Sequence, residues 1–265
     1  MSEIVFENVK RVFKHKDREF LALDQINLKV GEKEFVAIVG PSGCGKTTCM
    51  RMAAGLEFPS SGSVKVAGVA VKAPGPERAV VFQQFALFPW KTVYQNIEFG
   101  LRAKGVPAAE RRKTIDYYIN MMNLKGHEHA FPGQLSGGMQ QRVAIARAYS
   151  LDPAVLLMDE PFGALDAQTR VVMQEELVRL ARINPRTVLF ITHAVEEAVY
   201  LADRVVVMTS RPGKIKEIID VKSVREAERW DEHARIEDVM DQDSFVSLRT
   251  HIWKSLREEH GTSAH

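Results

Sequence analysis

The sequence predicts an α/β fold with a helical segment inserted into it, and three observations carry that reading. Short apolar runs at Phe35–Val39, Ala154–Met158, Thr187–Thr192 and Arg204–Met208 have the length and β-branched content of buried strands. Helix-compatible stretches, Thr47–Leu56, Gln168–Ile183 and Val195–Ala202, stand between them, the alternation that builds a parallel sheet. From Thr92 to about Tyr149 the pattern turns helical and holds no strand.

Taken in order, residues 3–9 and 21–30 read as strands through Ile4, Phe6, Val9, Leu21, Leu23, Ile26, Leu28 and Val30. The basic stretch Lys14–Arg18 between them reads as a surface loop or hairpin. Phe13, just before it, suits either an adenine base stacked on its ring or a core position at a strand end. After Ser60-Ser61-Gly62, a turn, Val64, Val66, Val69 and Val71 suggest short strands ended by Pro74-Gly75-Pro76. Ala79–Phe82 forms a further strand that delivers Gln83 and Gln84 at its C-terminal end. The inserted helices run Val93–Leu101, Ala108–Met122 and from Ser136 onward. Lys214–Val221 suits an edge strand, and Phe245, Leu248, Ile252 and Leu256 repeat at helical spacing in a charged tail.

The chemistry begins at Gly40-Pro41-Ser42-Gly43-Cys44-Gly45-Lys46-Thr47-Thr48. Its glycines allow backbone conformations that a Cβ forbids, so successive amides can point inward and hold phosphate oxygens at a helix start. Lys46 then reaches the β- and γ-phosphates and the Thr47 hydroxyl ligates Mg²⁺. A strand before the loop and a helix after it supply the context the motif needs, and the chain is read as binding a nucleoside triphosphate. The strand before Asp159-Glu160 supplies a second pair of groups. Asp159 is placed to hold Mg²⁺ through water, and Glu160 to act as general base for an attacking water.

Composition narrows the partners. A net charge of +2 gives no argument for nucleic acid or acidic lipid. No run of eighteen apolar residues crosses a bilayer, and the N-terminus lacks a signal-peptide pattern. The two cysteines, Cys44 and Cys49, form no disulfide framework and fit a reducing cytosol. Cys44 reads either as an alkylatable thiol or as a small residue tolerated in the loop.

Leu135-Ser136-Gly137-Gly138-Met139-Gln140-Gln141-Arg142 decides the family. Ser136 offers a helix cap, and Gly137 and Gly138 leave amides free at a helix start, a second anion site. The stretch resembles the signature motif of the ABC (ATP-binding cassette) ATPases. The resemblance covers roughly residues 3–220 and implies a P-loop NTPase core of ABC ATPase type with an antiparallel β subdomain and an inserted α-helical subdomain. Residues 1–84 and 152–221 then form the RecA-like nucleotide-binding core with its β subdomain, 85–151 the helical signature subdomain, and 222–265 a short C-terminal helical tail. It implies ATP and Mg²⁺ as ligands, adenine on Phe13, and Gln83 reaching the metal and the water. It also implies an interface loop at Ala164-Leu165-Asp166 and a γ-phosphate contact from His193 that steadies Glu160. The resemblance further implies that ATP lies between Lys46 of one copy and Ser136–Gly138 of a second in a head-to-tail dimer.

A cassette without membrane spans takes its transport path from permease subunits, and indirectly from a periplasmic or lipoprotein solute-binding protein. Its place is then peripheral, on the cytoplasmic face of the inner membrane, with Phe85–Trp90 lining the groove that grips the permease. LSGGMQQR, Phe88-Pro89-Trp90 and Thr209-Ser210-Arg211-Pro212-Gly213 look like the bacterial importers of nitrate, sulfonate, taurine and similar small anions. Rival readings are the ATPase of an exporter or lipid-trafficking system and a soluble ABC protein acting on DNA or ribosomes.

Overall fold

The computed structural model describes residues 2–15, 18–233 and 235–261. Strands β1 (Ile4–His15) and β2 (Arg18–Val30) pair antiparallel from Ile4↔Val30 out to His15↔Arg18. The hairpin therefore reaches further than the polar sequence suggests, because a two-stranded ribbon needs no buried outer face; its tip, Lys16 and Asp17, lies outside the described residues. Strand β3 (Phe35–Val39) leads into helix α1 (Lys46–Ala54), which stops two residues short of the expected end where Gly55 turns left-handed at φ 77. Strands β4 (Ser61–Val66) and β5 (Val69–Ala70) complete the first sheet, in the order β2-β1-β4-β5. Ser61 and Gly62 thus belong to a strand where the sequence suggested a turn.

Strand β6 (Arg78–Val81) is followed by helices α2 (Val93–Ala103), α3 (Ala108–Met121) and α4 (Gly137–Ser150). Strand β7 (Val155–Asp159), helix α5 (Ala167–Ile183), strand β8 (Thr187–Ile191), helix α6 (Val195–Leu201) and strands β9 (Arg204–Met208) and β10 (Ile215–Asp220) close the second sheet. Its order is β10-β9-β3-β8-β7-β6, parallel throughout except for edge strand β10. Every residue of β3 and β8 is buried, as expected of a parallel sheet covered on both faces. Alternate residues serve opposite cores. Ala37 and Val39 join helices α2–α6, whereas Val36 and Ile38 join α1 and the first sheet.

The tail departs most from expectation. One amphipathic helix was predicted; the chain forms α7 (Lys222–Ala227), a 3₁₀ turn at Trp230–Glu232, α8 (Ile236–Met240) and α9 (Asp243–Gly261). Phe245 and Ile252 of α9 are fully buried, with Trp230 ring to ring with Phe245 at 5.6 Å. The β9–β10 connection also stitches the two sheets together. Gly213 donates to the Ala22 carbonyl and accepts from the Asp24 amide, and a Cβ on it would lie 1.9 Å from the Cys44 carbonyl oxygen.

Candidate nucleotide site

Strands β3, β8, β7 and β6 are neighbours, and each ends at the same edge of the sheet. Lys46, His193, Asp159 with Glu160, and Gln83 leave that edge, the position where open α/β sheets carry ligands. The loop after β3 bends through Gly43 at φ 78 and Gly45 at φ 98, conformations that penalise any side chain. Gly45 caps α1 without a side chain, and first-turn amides of a helix have no partner within it. Lys46 is buried and folds back along the loop, its Nζ donating to the carbonyls of Gly40 at 2.8 Å and Pro41 at 3.1 Å.

The donor set beside it fits a hard divalent ion. The Thr47 hydroxyl donates to Asp159 Oδ1 at 3.1 Å, and burial pushes the Asp159 carboxyl above its ordinary range. Among the described residues no three His, Cys, Asp or Glu side chains converge as a metal cage. Two oxygen ligands with water and phosphate completing the shell is how Mg²⁺ is ordinarily held.

Glu160 adopts φ 46, a left-handed conformation rare for a side chain of its length, with its amide donating to the Ile191 carbonyl at 2.9 Å. Its carboxylate lies 2.6 Å from His193 Nε2 and accepts from Gln83 Nε2 at 3.4 Å. Two residues from other strand ends, His193 and Gln83, thus touch the one carboxylate of Glu160.

Other expected residues stand apart from this cluster. Ser136 caps α4, accepting from the Met139 amide at 3.3 Å, and is exposed with Gly137, whereas Gly138 packs on Thr169. Asp166 caps α5 through the Thr169 amide at 3.0 Å, and that bond holds its carboxyl below the usual range. Phe13 pairs with Phe20 across the hairpin, half-buried under the Arg11 guanidinium at 4.4 Å, so the core reading of Phe13 gives way to a surface one. Cys44 is buried and its thiol is pushed up by desolvation, which removes the alkylatable reading. Half-buried Phe88 packs on exposed Phe99 at 4.6 Å and on exposed Trp90 at 5.7 Å.

Three supporting residues escaped the sequence reading. Glu197 accepts from the Thr192 hydroxyl at 2.5 Å, and Thr192 in turn accepts from the Ala194 amide, so the turn bearing His193 is bracketed. Buried Asn96 binds the main chain of Phe88, Lys91 and Thr92. Arg147 donates to the carbonyls of Phe85 and Ala86. A cavity of about 560 Å³ lies away from these residues, between α5 and the tail, where Arg182 and Arg225 already hold Asp231 and Asp203.

A phosphate loop, an adjacent carboxylate pair and a second glycine-led helix start define an ATP-binding cassette. The ABC transporter family model matches residues 23–163. An uncharacterized ABC transporter ATP-binding protein of Methanocaldococcus jannaschii is 53% identical over 96% of this chain and 91% of its own. The nitrate import ATP-binding protein of Synechocystis is 50% identical over 79% of each chain. The bicarbonate transport ATP-binding protein of the same organism is 43% identical over 97% of this chain but only 38% of its own length. A dimeric ATP-binding cassette in a post-hydrolysis state with ADP and Pi superposes with a TM-score of 0.72 at 31% identity, over 82% of this chain and 98% of that one. The chain belongs to the ABC transporter family, as its ATP-binding, ATP-hydrolysing component. No helix among the described residues is long and apolar enough to cross a membrane.

Proposed function

We propose that the chain is the ATPase subunit of an importer that powers uptake of a small anion, such as nitrate, a sulfonate or taurine, through separate membrane subunits. For the solute, the supporting observation is the 50% identity to a nitrate import ATP-binding protein. For the chemistry, it is the single carboxylate of Glu160 held by His193 and Gln83 beside the phosphate loop.

In this reading the amides of Gly40–Thr48 and the Lys46 ammonium bind the phosphate chain, and Phe13 stacks on the base. Thr47, Asp159 and Gln83 hold Mg²⁺, which when bound offsets charge on the transferring phosphoryl group. Glu160 accepts the proton of the attacking water while His193 keeps the carboxylate oriented. Ser136–Gly138 of a second copy complete the site, and Asp166 stands at that junction. The exposed Trp90 and Phe99 rings, with half-buried Phe88 packed against both, suit a docking surface for a permease segment.

The test is a strain lacking this chain, supplied with nitrate, taurine or bicarbonate as isotopically labelled solute. Uptake of nitrate or a sulfonate should be lost and return with the wild-type chain but not with Glu160→Gln. Loss of bicarbonate uptake alone would reassign the solute; unchanged uptake of all three would refute the importer reading.

A further inference from the structure

A cavity at the phosphate loop is walled partly by the tail. It encloses about 230 Å³ between Gly40, Pro41, Ser42 and His193 on one side and Trp253, Leu256 and Arg257 of α9 on the other. That volume is below the range of ordinary small-ligand pockets, and it suits a loop of small residues better than a nucleotide. Trp253 and Arg257 are four residues apart, so they share one face of α9. Trp253 is 50% exposed despite its size, and Arg257 has no carboxylate partner among the described residues.

The helix that presents them is firmly held. Phe245 and Ile252 are buried, Lys216 of edge strand β10 donates to the Ser255 carbonyl at 2.9 Å, and Glu217 pairs with His251 at 2.9 Å. α9 also packs on α6, the helix that starts two residues after His193. An exposed tryptophan beside an arginine with no carboxylate partner among the described residues, on a support held by buried side chains at the rim of the site, has the make-up of an interface anchor.

We propose that α9 is part of the interface between two copies of this chain, Trp253 and Arg257 forming with Gly40–Ser42 and His193 a socket for the Gly163–Asp166 loop of the second copy. This rests on the reading that two copies close over ATP, and it adds the tail to that closure. Charge complementarity selects the occupant. Gly163, Ala164 and Asp166 are exposed and small, and the Asp166 carboxylate, held below its usual range by the Thr169 amide, is opposite in sign to the Arg257 guanidinium that the socket carries. Each ATP site would then be walled by its own tail and entered by the partner's loop.

The test uses the full chain carrying Glu160→Gln, with ATP and Mg²⁺, followed by sedimentation velocity. Trp253→Ala and Arg257→Ala should each weaken ATP-driven dimerisation by about tenfold, with Arg257→Lys losing less. In a second measurement, subunits carrying Arg257→Cys and Ala164→Cys are mixed and treated with a short bis-maleimide. The native Cys44 and Cys49 are buried, so linking should occur between the introduced thiols and only with ATP. Dimerisation within twofold of the parent for both alanine variants, together with no linked dimer, would overturn the role of α9 while leaving the ATP sandwich intact. A parent that never dimerises with ATP would overturn both.

Discussion

Glu160 combines a left-handed backbone with a carboxylate clasped by His193 and Gln83, and its chemistry is the most directly testable at single-residue level. Glu160→Gln keeps the shape and removes the proposed base. Steady-state ATP turnover should fall by roughly 10²- to 10⁴-fold while ATP binding, measured by equilibrium titration, persists. Glu197 offers a test by pH. Burial raises its carboxyl above the ordinary range, opposed by the Thr192 hydroxyl and Arg170. A raised acid binds its proton more tightly folded than unfolded, so its charged form costs stability fully above the folded pKa and not at all below the unfolded one. Glu197→Gln should therefore raise the melting temperature by about 2 °C at pH 8 and leave it unchanged near pH 4, measured by calorimetry. Lys46, Thr47, Asp159 and Glu160 were legible in the sequence because a phosphate loop and an apolar strand end announce them. Glu197 was not, since two acids in a helix first turn read as solvated, and only the fold buries the second one.

Among the elements, helix starts were readable where a cap marks them, Thr92 before α2 and Ser136 before α4, whereas the stop of α1 at Gly55 was overrun by two residues. What no local pattern foretold is the pinning of the aromatic segment between β6 and α2. Asn96, inside α2, satisfies the main chain of Phe88, Lys91 and Thr92 with one side chain. Asn96→Ala leaves those groups to compete for water and should cost about 1–3 kcal/mol by denaturant titration, with faster hydrogen exchange over residues 88–92. The β9–β10 connection answers to the same kind of test. A methyl at Gly213 would drive into the Cys44 carbonyl, so Gly213→Ala should destabilise the chain by about 3 kcal/mol and weaken ATP binding as the phosphate loop shifts.

Across the whole molecule, two cores lie on opposite faces of one sheet, and the tail contributes to only one of them. The alternating strand and helix pattern made the α/β class legible. The strand order that gathers Lys46, His193, Glu160 and Gln83 at one edge was not, because pairing between β3, β8 and β7 joins segments far apart in sequence. The tail was the least legible region: α7 and α8 are too short and too charged to show a period, and Trp230 gives no hint that it closes on Phe245. Phe245→Ala opens a cavity in that closure and should cost about 3–5 kcal/mol, read as a lower denaturation midpoint. Gly213, finally, bears on how the chain can move. By fastening the hairpin of β1 and β2 to the floor of the phosphate loop, it makes the two sheets one stiff block. Helices α2–α4 join that block only through the segments beyond β6 and before β7, and it is on their side that Trp90 and Phe99 lie bare, so any give between the block and its helices falls where those rings are.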